Sequence, residues 1–254
     1  MEVTLIIFTL FIFGLVFGSF FNVVGYRLPK EESIVSPPSH CPVCNHKLTS
    51  KELIPVLSYL IQKGKCANCK SKIGVFYPTF EFLTGVLFVL TYLSFGLSVE
   101  LIIGLIFVSS LIIIIISDYQ TMIIPDEVII FALVSKIIYS LLTSSVQATL
   151  FVVLNGLVAA LFIYGLKKFG DYAFKKESMG GGDIKLLFIF GLFIGFDMAI
   201  ISIFLSSFIA LPYSIYALKK NNNHVIPFGP FLSIAALIIF LLQWDFMTVI
   251  TFLS

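Results

Sequence analysis

The chain repeats apolar stretches of about 17 to 22 residues, each near the length a helix needs to cross a bilayer. So many stretches of this kind cannot all be buried in one soluble core. Of 254 residues, 59% are hydrophobic and 12% charged, about half the charged share of an ordinary soluble domain. The pattern predicts an all-α integral membrane protein.

Eight transmembrane helices are expected, over residues 4–24, 80–95, 99–117, 127–142, 148–166, 184–194, 199–218 and 231–252. The sixth is short, so it should be tilted, partly re-entrant or packed inside the others. The first opens on Glu2 instead of a basic segment, and no small-x-small cleavage site follows it. It is therefore expected to stay as a membrane helix and not to be removed as a signal. Residues 1–25 would form this helix, 26–79 a loop or small domain, and 80–254 a multi-helix membrane domain.

Basic residues set the expected orientation. Arg27, Lys30, Lys47, Lys51, Lys63, Lys65, Lys70 and Lys72 lie between the first two spans. Lys167, Lys168, Lys175 and Lys176 lie between the fifth and sixth, and Lys219 and Lys220 between the seventh and eighth. The loops around Gly96, 143–147 and 195–197 hold no lysine or arginine. Basic loops prefer the cytosol, so eight spans with both termini outside account for the alternation.

The loop after the first span carries all four cysteines, as Cys41-Pro-Val-Cys44 and Cys66-Ala-Asn-Cys69. Two tight turns can each offer two thiolates to one tetrahedral zinc. A pair of disulfides is the alternative, and a reducing cytosolic location disfavours it. Four thiolates leave no open coordination position, so the metal would be structural. His40 and His46 flank the first pair without being required as ligands.

Two aspartates stand at the ends of expected spans. Asp118 follows the third, and Asp183 closes the run Gly180-Gly181-Gly182-Asp183 before the sixth. Under the derived topology both lie at the cytosolic edge, where they can meet. Ionisable groups at such a depth are costly, which favours a functional reading. Two carboxylates sharing a water tend to hold one proton between them. One can then take a proton from the water while the other polarises a peptide carbonyl. The adjacent glycines would let a substrate backbone approach closely. Plainer readings stand beside this one. Asp126 after Pro125, and Asp183 likewise, could cap helices, and Asp118 could be a solvated loop charge. Lys185 could snorkel to the interface or pair with an acid. Asp171, Glu177 and nearby lysines read as a solvated loop, and Asp197 and Asp245 have no evident partner.

A Gly-x-Gly-Asp sequence opening a helix, with an aspartate ending an earlier one, resembles the presenilin and prepilin-peptidase type of aspartic protease. Further motifs narrow this to the bacterial type IV prepilin peptidases. They are Gly18-Ser19-Phe20-Phe21-Asn22-Val23-Val24, Tyr26-Arg27-Leu28-Pro29, Glu52-Leu53-Ile54-Pro55 and Ser58-Tyr59-Leu60. Gly64-Lys65-Cys66, Tyr77-Pro78 with Glu81, and the stretches 118–126 and 180–187 follow in order. Members of that family cleave the basic leader of type IV prepilins or pseudopilins on the cytosolic side of the bacterial cytoplasmic membrane. The resemblance implies Asp118 and Asp183 as the catalytic pair and Asp126 as a nearby contributor; Gly180, Gly182 and Lys185 are further candidate supporting residues.

Many members also methylate the new amino terminus with S-adenosylmethionine, an activity associated with the cysteine loop. Asn22, Arg27 and Glu52 are the candidate cofactor-binding residues, and Cys41, Cys44, Cys66 and Cys69 the zinc ligands. Leu53 departs from the asparagine more common in the family, which bears on the methyl-transfer half. The implied partners are prepilins or pseudopilins and the lipid bilayer, with no nucleic acid; the sequence carries no signal for an oligomeric state. Two other classes are open to a chain of this kind. A membrane transporter would show interrupted helices in two repeat halves. A zinc-stabilised membrane scaffold would be indifferent to loss of the aspartates.

Overall fold

The structure, a computed structural model, describes residues 2–175, 179–219 and 227–253. Lys176, Glu177 and Lys220 lie outside the described residues. Among the described residues the fold is all-helical, with two isolated β-bridges and no strand. Five helices are long and apolar enough to cross a membrane: Glu2–Lys30, Phe76–Phe95, Val99–Thr121, Val146–Phe174 and Phe196–Ala217. The chain is a multi-pass membrane protein. It divides into two compact units, Met1–Leu101 and Ile102–Ser254.

In the first unit, α1 (Glu2–Arg27) packs on α3 (Phe76–Phe95), with the cysteine loop and the short α2 (Leu57–Ile61) between them in sequence. Lipid supplies no hydrophobic drive for helix pairing, so close packing of small residues must do so. Gly14 and Gly18 provide it. A Cβ on Gly14 would fall 2.6 Å from Cα of Gly85, and one on Gly18 would fall 2.8 Å from Cα of Glu81. Phe8, Phe13, Val16 and Phe20 are left exposed on α1, as suits a surface in contact with lipid.

The second unit is built around α7 (Gly181–Ile194), which packs against α5 (Asp126–Thr143), α6 (Val146–Phe174), α8 (Phe196–Lys219) and α9 (Gly229–Leu241). Fourteen residues rise about 21 Å, short of a hydrocarbon core of about 30 Å. Of the three options for the sixth span, the helix is packed inside the others. Leu186, Leu187, Ile189 and Phe190 have no exposed surface. α4 (Val99–Thr121) meets this core through Phe107, which stacks on Phe193 at 4.3 Å and meets Phe240 edge-on at 4.9 Å between ring centroids. Lys136, inside α5, lies 5.1 Å from the Phe193 ring centroid and 5.4 Å from that of Tyr139. Those cation–π contacts offset part of the cost of a charge among apolar helices.

The expected eighth span requires correction. Residues 231–252 do not form one helix: α9 ends at Leu241, and α10 (Phe246–Leu253) begins after a break. Gln243 has φ 51°, and the Trp244 N–H closes back on the Ile239 carbonyl at 3.1 Å. Asp245 then accepts the Thr248 N–H at 2.7 Å, a helix cap. Asp245, without evident partner in the sequence, is what starts the new helix.

The α6–α7 crossing yields a paired prediction. A Cβ on Gly191 would lie 2.5 Å from the Asn155 carbonyl oxygen and 2.7 Å from Cα of Gly156, whereas one on Gly165 meets nothing within 4 Å. Gly191→Ala should destabilise by about 1–3 kcal/mol, since backbone must move. Gly165→Ala should be neutral or stabilise by up to about 1 kcal/mol through helix propensity. Thermal unfolding of the two variants in detergent measures the difference.

Candidate functional site

α4 runs on to Thr121, so Asp118 sits in its last helical turn instead of following it, 7% exposed. The chain then reverses tightly. Met122 takes φ 56° and donates its N–H to the Asp118 carbonyl at 2.9 Å, and the Ser117 hydroxyl donates to the Ile123 carbonyl at 2.5 Å. On α7, Gly180 is the extended cap residue, and Asp183 lies in the first turn, 9% exposed. The Asp183 carboxylate accepts the Gly180 N–H and has Asp118 and Lys167 as charged neighbours. Two buried acids from α4 and α7 thus come within electrostatic reach of each other.

Asp118 has a further partner, the backbone N–H of Gly229, the first residue of α9. A Cβ at Gly229 would lie 2.6 Å from Oδ2 of Asp118, so any side chain there would push the carboxylate away. Gly229 precedes Pro230 in Pro227-Phe228-Gly229-Pro230. Proline in the first turn is a readable helix-start signal, but nothing in the sequence pairs that start with Asp118.

The glycine run divides by role. A Cβ on Gly182 would fall 2.9 Å from Cδ1 of Ile124, Gly181 has nothing within 4 Å, and the nearest atom to a Cβ on Gly180 is 3.8 Å away. Gly182 is therefore a packing position, while Gly180 and Gly181 leave open space beside Asp183. The capping expectation for Asp126 is corrected: Pro125 is the cap residue of α5, no side chain caps it, and Asp126 instead pairs with Lys185. The solvated-loop reading of Asp118 is excluded by its burial.

The cysteine loop is made of two copies of one turn. Cys41 N–H donates to the His46 carbonyl and Asn45 N–H to the Cys41 carbonyl, each at 2.9 Å. In the second copy Cys66 N–H donates to the Ser71 carbonyl at 2.9 Å and Lys70 N–H to the Cys66 carbonyl at 3.1 Å. Asn45 and Lys70 both have positive φ, and the bridges His40–Lys47 and Lys65–Lys72 close the two turns. The four Sγ atoms lie within 4.8 Å of one another, and all four cysteines are free. Cys41 and Cys69 are 3.8 Å apart, and Cys44 and Cys66 4.0 Å apart, sulfur to sulfur. Tetrahedral bonds of about 2.3 Å put sulfurs roughly 3.8 Å apart, so the set fits one zinc.

The surroundings favour thiolate at Cys41 and Cys69, whereas at Cys44 the lowering by the His46 amide is outweighed by burial and the neighbouring thiols, which raise it. The backbone N–H groups of Cys44 and Val43 push the Cys41 thiol down to about 6. The Ser71 hydroxyl, 3.1 Å away, lowers Cys69. Four closely spaced cysteines with this donor chemistry can hold a metal ion.

The proposed cofactor residues have separate employments. Arg27 donates to the carbonyls of Ser33 at 2.9 Å and Pro37 at 2.8 Å. Glu52 accepts the Thr49 N–H at 2.9 Å and hydroxyl at 2.7 Å, which hold its carboxyl below the usual range, and meets the His46 ring at 3.2 Å. Asn22 is 4% exposed; its Nδ2 donates to the Tyr77 carbonyl at 3.2 Å, and its Oδ1 has no partner. Arg27 and Glu52 brace the loop, and Asn22 alone offers an unused buried atom. These residues do not fit a preformed pocket for S-adenosylmethionine.

Comparisons agree with this architecture. Residues 12–95 match the model of the bacterial peptidase A24 N-terminal domain, and residues 105–215 match that of the type IV leader peptidase family. The chain is 35% identical over 235 residues to a prepilin leader peptidase/N-methyltransferase of Bacillus subtilis (strain 168), covering 91% of this chain and 92% of that one. Identity with the protein of that name from Neisseria gonorrhoeae is 32% over 253 residues, 90% of this chain and 88% of the other. The one from Aeromonas salmonicida (strain A449) is 31% identical over 257 residues, 89% and 87%. No solved structure matches. With relatives of one kind aligned along nearly its whole length, and both aspartates inside the second matched region, the chain belongs to the type IV leader peptidase family of prepilin-processing enzymes.

Proposed function

We propose that the protein removes the leader from type IV prepilins or pseudopilins, using Asp118 and Asp183 as an aspartate dyad. The observation that carries this reading is the burial of two carboxylates, from the end of α4 and the start of α7, as electrostatic neighbours. Held this way, one carboxylate takes a proton from a water as that water attacks the scissile carbonyl. The other donates a hydrogen bond to the carbonyl oxygen. The Gly229 N–H orients the Asp118 carboxylate, and the Gly180 N–H does the same for Asp183. The bare backbone at Gly180 and Gly181 leaves room for an extended peptide segment beside Asp183.

The dyad would lie at the cytosolic edge of the bacterial cytoplasmic membrane, with both chain termini outside. The lysine distribution supports that orientation. Eight crossings remain the proposal, with α9 and α10 together forming the last despite their break. Residues 26–79 would form a cytosolic module held by zinc on Cys41, Cys44, Cys66 and Cys69. Such a metal stabilises folded loop geometry and performs no chemistry. Methylation of the new amino terminus is proposed for this module from the names of the relatives. With Arg27 and Glu52 engaged in the loop, no chemical step is assigned to the methyl donor.

Three outcomes test these statements. Asp118→Ala and Asp183→Ala should each lower prepilin cleavage in detergent by about a hundredfold or more, and retained cleavage in either removes the dyad. Elemental analysis of purified protein should give about one zinc per chain, falling sharply in Cys41→Ser. Mass spectrometry of the processed pilin should show a methylated amino terminus with wild type. An unmodified terminus at full cleavage would leave a peptidase alone.

A further inference from the structure

Two contacts bracket Asp183. One residue before it, Gly182 receives Ile124; two residues after it, Lys185 pairs with Asp126. Both partners belong to the segment that leaves Asp118: Ile124 lies in the reversal, and Asp126 is the first residue of α5. That segment is stiffened by Ser117 on Ile123 and by the Met122 turn. The strand of chain carrying one acid is thus fastened on both sides of the other.

We propose that Lys185 is a positioning residue, which holds Asp183 in register with Asp118 by gripping Asp126. Asp126 then serves cleavage through Lys185 and not by touching the reacting atoms. The inference rests on the dyad reading above. Asp126 is not engaged as a cap, and its carboxylate is turned to Lys185, whereas the charged neighbours of Asp183 are Asp118 and Lys167. The lysine itself is badly placed for helix electrostatics. It stands near the N-terminus of α7, where the helix dipole disfavours a cation, while Asp126 stands where the dipole of α5 favours an anion. With side chains 42% and 66% exposed, the pair adds little to stability. Its value is geometric, because a misplacement of about 1 Å can cost a hundredfold in rate.

The full-length protein in detergent, with a synthetic prepilin substrate, provides the test. Lys185→Met and Asp126→Asn should each lower kcat by about tenfold to a hundredfold, with KM near wild type. The double variant should be no slower than the worse single, because both substitutions break one contact. Lys185→Arg should recover most of kcat. Unfolding midpoints measured on the same samples separate positioning from loss of fold, and the near-isosteric Asp126→Asn guards against a misfolded Lys185→Met. Multiplied losses in the double variant would overturn the proposal, as would a wild-type kcat in either single or a change confined to KM. Asp183→Ala assayed alongside separates the two failures. If it still cleaves, the dyad reading falls; if it is dead while Lys185→Met is fully active, the positioning role alone falls.

Discussion

A helix of fourteen residues cannot carry its own ends through hydrocarbon. α7 is possible because four other helices pack around it and because Gly156 and Gly191 let α6 approach at backbone contact. Everything at the candidate dyad depends on that enclosure. The start of α7 brings Asp183 to a buried position, and enclosure by neighbours removes both acids from bulk water.

Much of this was legible in the sequence, for definite physical reasons. Long apolar runs show themselves because lipid imposes a length and forbids charge, and paired thiolates show themselves because a tetrahedral metal imposes close spacing. Asp118 and Asp183 stood out because acids at helix ends in such a chain are expensive. Partnerships between distant residues were less readable. Gly229 looks like an ordinary helix start, and its role exists only because α4 ends beside it. Asp126 reads locally as a cap, yet a lysine 59 positions away in sequence claims it. The break after Leu241 falls at Gln243 and Asp245, two polar residues averaged out within a long apolar run, and the backbone reversal at Gln243 has no sequence mark of its own.

The cysteine module illustrates a different economy. The loop contains an internal repeat, too short and too divergent to show by identity. His40-Cys41-Pro42-Val43-Cys44-Asn45 and Lys65-Cys66-Ala67-Asn68-Cys69-Lys70 share only their cysteines, yet they fold into the same turn. What is repeated is a hydrogen-bond pattern, with the cysteine amide and carbonyl both tied within the turn. Glu52 and Arg27 stiffen the chain on either side of the first copy, which explains charged residues there without assigning them a ligand.

The contact between Asp118 and Gly229 has a bearing on mutation. The donor that Asp118 uses is a main-chain amide, which no substitution other than proline can delete. Changing the gene can alter only the space beside that amide. At this position heredity therefore acts on volume alone, and the smallest residue is the one that leaves the carboxylate where it is.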